Sequence, residues 1–206
     1  MNYRMLLPFL FLFFSFIHSS YSQENWELIK DSDGIKVYTK TKDHSPYVEI
    51  KAVSMLDGEI LTFRDMMNDV SSYKEWMHAA EKTDLIRRES SSEFIYYMHS
   101  DFPWPAKDRD IVIKTVLHYK PEKGIVYTES ESIKGMLEKK DGINRIGDLQ
   151  ASWHFEKEGE ERVKVTYYGR IKPSVQLPDW LAEIVYNTGP FNTIKNMREY
   201  IKNRES

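Results

Sequence analysis

Apolar and polar positions change period three times along this 206-residue chain, and each change marks a new kind of element. After an apolar block at 6–17, residues 26–30 and 35–39 read as two short strands around Asp31-Ser32-Asp33-Gly34, where Gly34 can take the positive φ of a tight hairpin. Residues 47–53 continue as a third strand. The period then lengthens: Ile60, Phe63, Met67 and Val70 recur at helical spacing, which predicts a helix over 58–68 with Asp57 as its N-cap. A short helical turn over 72–76 follows. Alternation returns in 94–102, 111–119 and 124–132, and again in 149–156 and 162–171, the last two joined by Lys157-Glu158-Gly159-Glu160. The final element is a helix over 178–203. Leu181, Ile184, Val185, Thr188, Phe191, Ile194, Met197 and Ile201 form its apolar stripe, and Gly189-Pro190 should kink it.

This order predicts an α+β architecture, a curved antiparallel β-sheet wrapped around a long C-terminal α-helix. A strongly twisted sheet gripping one helix leaves space between them, which either bulky side chains or a ligand must fill. Alternation puts Phe94, Tyr96 and Met98 on one face of one strand, and Ile111, Ile113, Thr115 and Leu117 on one face of the next. With Tyr167, and with Ile184, Thr188 and Phe191 from the helix, these are the candidate walls of an apolar chamber. Thr115, Tyr96 and Tyr167 would orient a polar group within it. Periodicity describes an ordinary packed core equally well.

Composition narrows the setting. Residues 1–22 combine a positive Arg4, the apolar run and Ser20-Tyr21-Ser22, the pattern of a cleaved signal peptide, so the domain is expected to span 23–206. The apolar run, interrupted by Pro8 and Ser15, is too short for a bilayer core of about 30 Å. The expected location is therefore periplasmic or secreted. No cysteine is present, so stability must come from packing rather than disulfides. The formal charge is −3. That sign argues against nucleic acid as a partner. No low-complexity linker or internal repeat divides the chain, and a monomer is expected.

The segment Asp101 to Asp110, D-F-P-W-P-A-K-D-R-D, joins the candidate walls. Pro103 and Pro105 stiffen it and display Trp104. Arg109 and Asp110 open the next strand and are expected to act as a structural clasp. Further pieces surround it: Trp26, Asp33, Gly34, Val37 and Tyr38; then Asp69, Tyr73 and Trp76; then 136–145, ending Gly142-Ile143-Asn144-Arg145; and Leu177-Pro178-Asp179-Trp180 before the terminal helix. In this order the pieces resemble the START (StAR-related lipid-transfer) domain family of the helix-grip superfamily, over nearly all of 26–201. The resemblance implies a lipid or other hydrophobic ligand between sheet and helix, no cofactor, and transient membrane contact. It also implies a gate loop at 133–145, with Met136 and Leu137 as its apolar residues. Two features depart from the pattern. Only Gln23-Glu24-Asn25 would precede Trp26, where family members usually carry a helix. Thr115 stands where sterol-binding members place a buried Arg, and Tyr96 stands at the partner carboxylate position.

Two rival classes remain. A helix-grip cavity can host cyclase, dehydratase or hydrolase chemistry in distant relatives, and His99 with Asp101, or Tyr96 with Asp110, are the pairs available for acid-base work. No nucleophile elbow, P-loop, dinucleotide fingerprint or metal-ligand spacing accompanies them, so no catalytic and no metal-binding residue is assigned. The third class is a scaffold whose cavity is filled by its own side chains, credible with 13 Tyr, 10 Phe and 5 Trp in the chain.

Overall fold

Alternating strands organise the protein into one ten-stranded sheet, seen in a computed structural model that describes residues 26–41, 45–173 and 178–204. The expected signal segment 1–22 and Leu177 of the closing motif lie outside the described residues. β1 (Glu27–Ser32), β2 (Ile35–Thr41) and β3 (Val48–Asp57) form the first meander, with Asp33 and Gly34 both at positive φ in the β1–β2 turn. Two helical segments follow, α1 (Ile60–Asn68) and α2 (Tyr73–Trp76), bridged by a single turn at Val70–Ser72. The chain then runs through β4 (Ala80–Arg88), β5 (Glu93–Ser100), β6 (Arg109–Lys120), β7 (Ile125–Ser132), the short β8 (Asn144–Arg145), β9 (Leu149–Lys157) and β10 (Arg162–Ile171). The spatial order is β1-β2-β3-β10-β9-β7-β6-β5-β4, antiparallel throughout, with β8 added parallel to the start of β6.

The strand expectations hold in type and near position, with three physical corrections. Asp57 does not cap α1, because it stays paired with Arg162 as the last residue of β3, and the Gly58 N–H extends that ladder to the Glu161 carbonyl at 2.9 Å. Glu59 occupies the cap position without a side-chain bond. β4 carries no periodic signal, since it is an edge strand whose residues are mostly exposed and whose pairing with β5 slips twice. Third, the kink expected at Gly189-Pro190 takes the form of a π turn.

That turn, Ile184–Thr188, lies between α3 (Asp179–Glu183) and α4 (Gly189–Arg204). Pro190 has no N–H, and its ring crowds the carbonyl four residues back. Widening the preceding turn relieves the clash, and the Gly189 N–H donates to the Ile184 carbonyl five residues back. A Cβ on Gly189 would lie 3.1 Å from that same oxygen, so glycine suits the position. The extra residue rotates everything after it by about 100° relative to an unbroken stripe.

Packing divides the concave side of the sheet into a filled end and an open end. α1 buries Phe63, Met66 and Met67, with the Phe63 ring 5.1 Å from Phe155 and the Arg64 guanidinium over Tyr119. Next to it Trp76 is fully buried, edge-on to Tyr73 at 5.1 Å and to Trp153 at 6.0 Å, while the Tyr73 hydroxyl donates to the Met67 carbonyl. Ile194, Met197 and Ile201 of α4 complete this core.

Candidate ligand cavity

Where the aromatic core stops, a cavity of about 220 Å³ remains between the sheet and the C-terminal helix. Its sheet wall takes Tyr96, Met98 and Ser100 from β5, Ile113 and Thr115 from β6, and Ser130 from β7. Trp153 of β9 and Tyr167 and Gly169 of β10 continue it. Tyr167 can lie flat along its strand because residue 169 has no Cβ; one there would sit 2.6 Å from the Tyr167 hydroxyl. The helical wall is Ile184, Val185, Gly189, Pro190 and Thr193, and the α2–β4 connection closes one side with Met77, His78 and Ala79. The His78 N–H donates to the Thr193 hydroxyl at 3.1 Å, tying that connection to α4.

Of the predicted wall residues, Tyr96, Met98, Ile113, Thr115, Tyr167 and Ile184 line this space. Phe94, Ile111 and Leu117 share the inner face of their strands but belong to the packed core, and the cavity does not reach them. Thr188 and Phe191 are displaced by the π turn: Gly189, Pro190 and Thr193 take the cavity face, while Phe191 packs in the core under the Lys30 ammonium at 4.0 Å. His78 and its neighbours were missed because 77–79 carries no periodicity. Gly169 was missed because an absent side chain leaves no apolar signal.

Polar groups inside the cavity are few and neutral. Thr115 and Ser130 hydroxyls are 2.8 Å apart and hydrogen-bonded between β6 and β7, and the Tyr96 phenol lines the same cavity from β5. In the β5–β6 register Tyr96 stands opposite Ile113 and Thr115 opposite Phe94, so the phenol and the alcohol are diagonal neighbours. Burial raises the Tyr96 phenol far above its usual range and the Tyr167 phenol to about 12, and it lowers the pKa of His78. At neutral pH none of these groups is charged.

The clasp is built differently from the expectation. Arg109 and Asp110 are consecutive strand residues and point to opposite faces. Arg109 turns inward, hydrogen-bonds the Lys107 carbonyl and lies 4.8 Å over the Phe102 ring. Asp110 turns outward and accepts two hydrogen bonds from Arg145, at 2.5 and 2.8 Å, and one from the Tyr97 hydroxyl at 3.2 Å. Arg145 also donates to the carbonyls of Leu137 and Glu138, so the working clasp is Asp110–Arg145 and what it holds is the loop 133–145. That loop does not form part of the cavity wall. Met136 packs with Ile133 on Ile95, Tyr97 and Val112, the outer face of β5 and β6, and neither Met136 nor Leu137 lines the cavity.

The proposed acid-base pairs also come apart. His99 meets Glu81 and Asp108, each at 3.1 Å, on the outer face rather than Asp101. Tyr96 faces the cavity while Asp110 faces away from it.

An apolar cavity of this kind, held between a curved sheet and a terminal helix, coincides with a match of residues 19–206 to the START domain model. The chain belongs to the START domain family. A StAR-related lipid transfer protein from Xanthomonas axonopodis, a solved structure, superposes with a TM-score of 0.76 at 27% identity, covering 86% of this chain and 98% of that one. An uncharacterised Pseudomonas aeruginosa protein is 29% identical over 88% of this chain and 89% of its own. The phosphatidylcholine transfer protein of Mus musculus is 25% identical over 87% of this chain and 85% of its own. START domains bind lipids and other hydrophobic ligands.

Proposed function

We propose that this START domain binds a hydrophobic ligand in the cavity between sheet and terminal helix, and carries it between membranes across an exported, aqueous compartment as a monomer. The observation that carries the reading is the cavity itself: a predominantly apolar space, floored by Trp153 and walled by Met98, Ile113 and Ile184. Apolar burial is worth about 0.8 kcal/mol per methylene, so a ligand can be retained there without an ion pair. The export half rests on the signal-like pattern of residues 1–22.

Membrane contact has a structural counterpart in two tryptophans. Trp104 is 91% exposed at the tip of the turn closed by Pro103 and Ala106, two residues beyond the cavity-lining Phe102. Trp180 is 40% exposed, one helical turn before the cavity-lining Ile184. Indole rings favour the interfacial zone of bilayers, which suits both positions for docking the cavity end onto a lipid surface.

A cavity enzyme is the rival reading. The only imidazole in the lining is His78, its Nδ1 3.5 Å from the Asn192 amide, and no carboxylate joins it there among the described residues. Ligand binding therefore accounts for more of the site than acid-base chemistry does.

Transfer of a fluorescent lipid analogue between vesicles tests the proposal. The wild-type protein should accelerate transfer above the spontaneous rate, and Trp104→Ala should reduce that rate at least threefold. Its unfolding free energy should change by less than about 0.5 kcal/mol, as for other exposed positions. No acceleration by the wild type contradicts carriage, and an unchanged rate in Trp104→Ala contradicts docking through this loop.

A further inference from the structure

A cavity's contents are limited by its charge, its hydrogen-bonding groups and its volume, and here all three are restrictive. None of the lining residues is Asp, Glu, Lys or Arg among the described residues. Arg109, whose guanidinium lies over the ring of the cavity-lining Phe102, hydrogen-bonds the Lys107 carbonyl and is not part of the lining. An ionised carboxylate or phosphate in this space would lose its hydration without a counter-charge, which is strongly unfavourable.

The polar groups that do face the cavity suit a neutral partner. The Thr115–Ser130 hydrogen bond uses one of that pair's two hydroxyl donors, and the Tyr96 phenol lines the same space. One donor and several lone pairs remain for a ligand oxygen. The space of about 220 Å³ is smaller than the roughly 300–1,000 Å³ of pockets that enclose drug-sized molecules. A diacyl phospholipid is larger than those molecules, whereas a medium-length single chain is not.

We propose that the cavity selects a compact uncharged amphiphile, a single short chain or small ring skeleton bearing one hydroxyl or carbonyl that bonds the Thr115–Ser130 hydroxyl pair, over fatty-acid anions and diacyl phospholipids. The proposal rests on the cavity being the ligand site. It makes that hydroxyl pair, rather than an ion pair, the determinant of headgroup choice, and it sets this chain apart from a relative named for phosphatidylcholine.

Isothermal titration of the protein with 1-decanol, 2-decanone and decanoate at pH 8, alongside uptake of dioleoylphosphatidylcholine from vesicles, tests it. Decanoate is ionised at that pH. The alcohol and ketone should bind at least about tenfold more tightly than decanoate, and phosphatidylcholine should load well below one equivalent. Thr115→Val, which keeps shape and removes the hydroxyl, should weaken 1-decanol about tenfold and leave n-decane unchanged. Decanoate binding as tightly as decanol, or one equivalent of phosphatidylcholine loaded, overturns the selectivity while leaving the cavity as a ligand site. Unchanged decanol affinity in Thr115→Val overturns the role of the Thr115–Ser130 pair. If none of these ligands binds, the ligand-site reading falls as well.

Discussion

Replacing Ile113 with tryptophan is expected to abolish ligand uptake while the protein remains folded. Ile113 lies mid-strand on β6, 4% exposed, with its side chain bordering the cavity beside Tyr96 and Thr115. An indole there has empty space to enter, so the mutation fills volume the wild type leaves vacant instead of forcing neighbours apart. In a packed core the same enlargement would cost about 1–3 kcal/mol, through off-rotamer side chains and backbone shifts. The two situations separate cleanly in one pair of measurements, thermal unfolding and ligand loading. Loss of loading with a melting temperature close to wild type is the expected result. A strongly lowered melting temperature in a protein that never carried ligand would instead mark a scaffold with a filled interior.

The second large effect concerns stability. Asp110→Ala should cost about 3 kcal/mol at neutral pH, because it removes one partner of a buried ion pair and strands the other. Asp110 is 1% exposed, and the Arg145 guanidinium it holds keeps only the carbonyls of Leu137 and Glu138. For a domain of this size that loss lowers the melting temperature by roughly 6–12 °C. The pH dependence follows from the direction of the Asp110 shift. Burial pushes its carboxyl up, but the hydrogen bonds and charge of Arg145, together with Tyr97 and Lys140, outweigh burial and hold it below the usual carboxylate value. A depressed carboxylate contributes stability that is fully present above the unfolded pKa, about 3.9, and is lost as pH falls through the folded value. The gap between wild type and Asp110→Ala should therefore be constant near neutrality and narrow below about pH 4. A variant within 2 °C of wild type at pH 7 would show that the clasp contributes little.

Much of the fold was legible because its strands alternate. Ile111, Ile113, Thr115 and Leu117 announced one face of β6, and the helical spacing of Ile60, Phe63 and Met67 announced the buried side of α1. What escaped had physical reasons. β4 is an edge strand with a mostly solvated sequence, so burial left no period to detect. The cavity face of the terminal helix was misassigned at Thr188 and Phe191 because Pro190 signalled a distortion without revealing that it would be absorbed by one extra residue in a turn.

The placement of the expected gate loop escaped the sequence for a different reason. Ile95, Tyr97 and Val112 are apolar on the outer face of β5 and β6, so both faces of these strands needed cover. That apolar outer face was visible in the sequence, but nothing in the sequence said which segment would cover it. The loop 133–145 supplies that cover, and Arg145 pins it through Asp110. Reading Arg109 and Asp110 as a pair with each other overlooked that adjacent strand residues point apart.

The measurement that bears most directly on the account is native mass spectrometry of the protein purified without detergent, followed by solvent extraction of whatever accompanies it. A single small-molecule adduct at one equivalent, lost in Ile113→Trp, is the predicted result. A protein that stays bare after purification and after challenge with decanol, decanoate and mixed phospholipids would contradict a ligand-binding cavity.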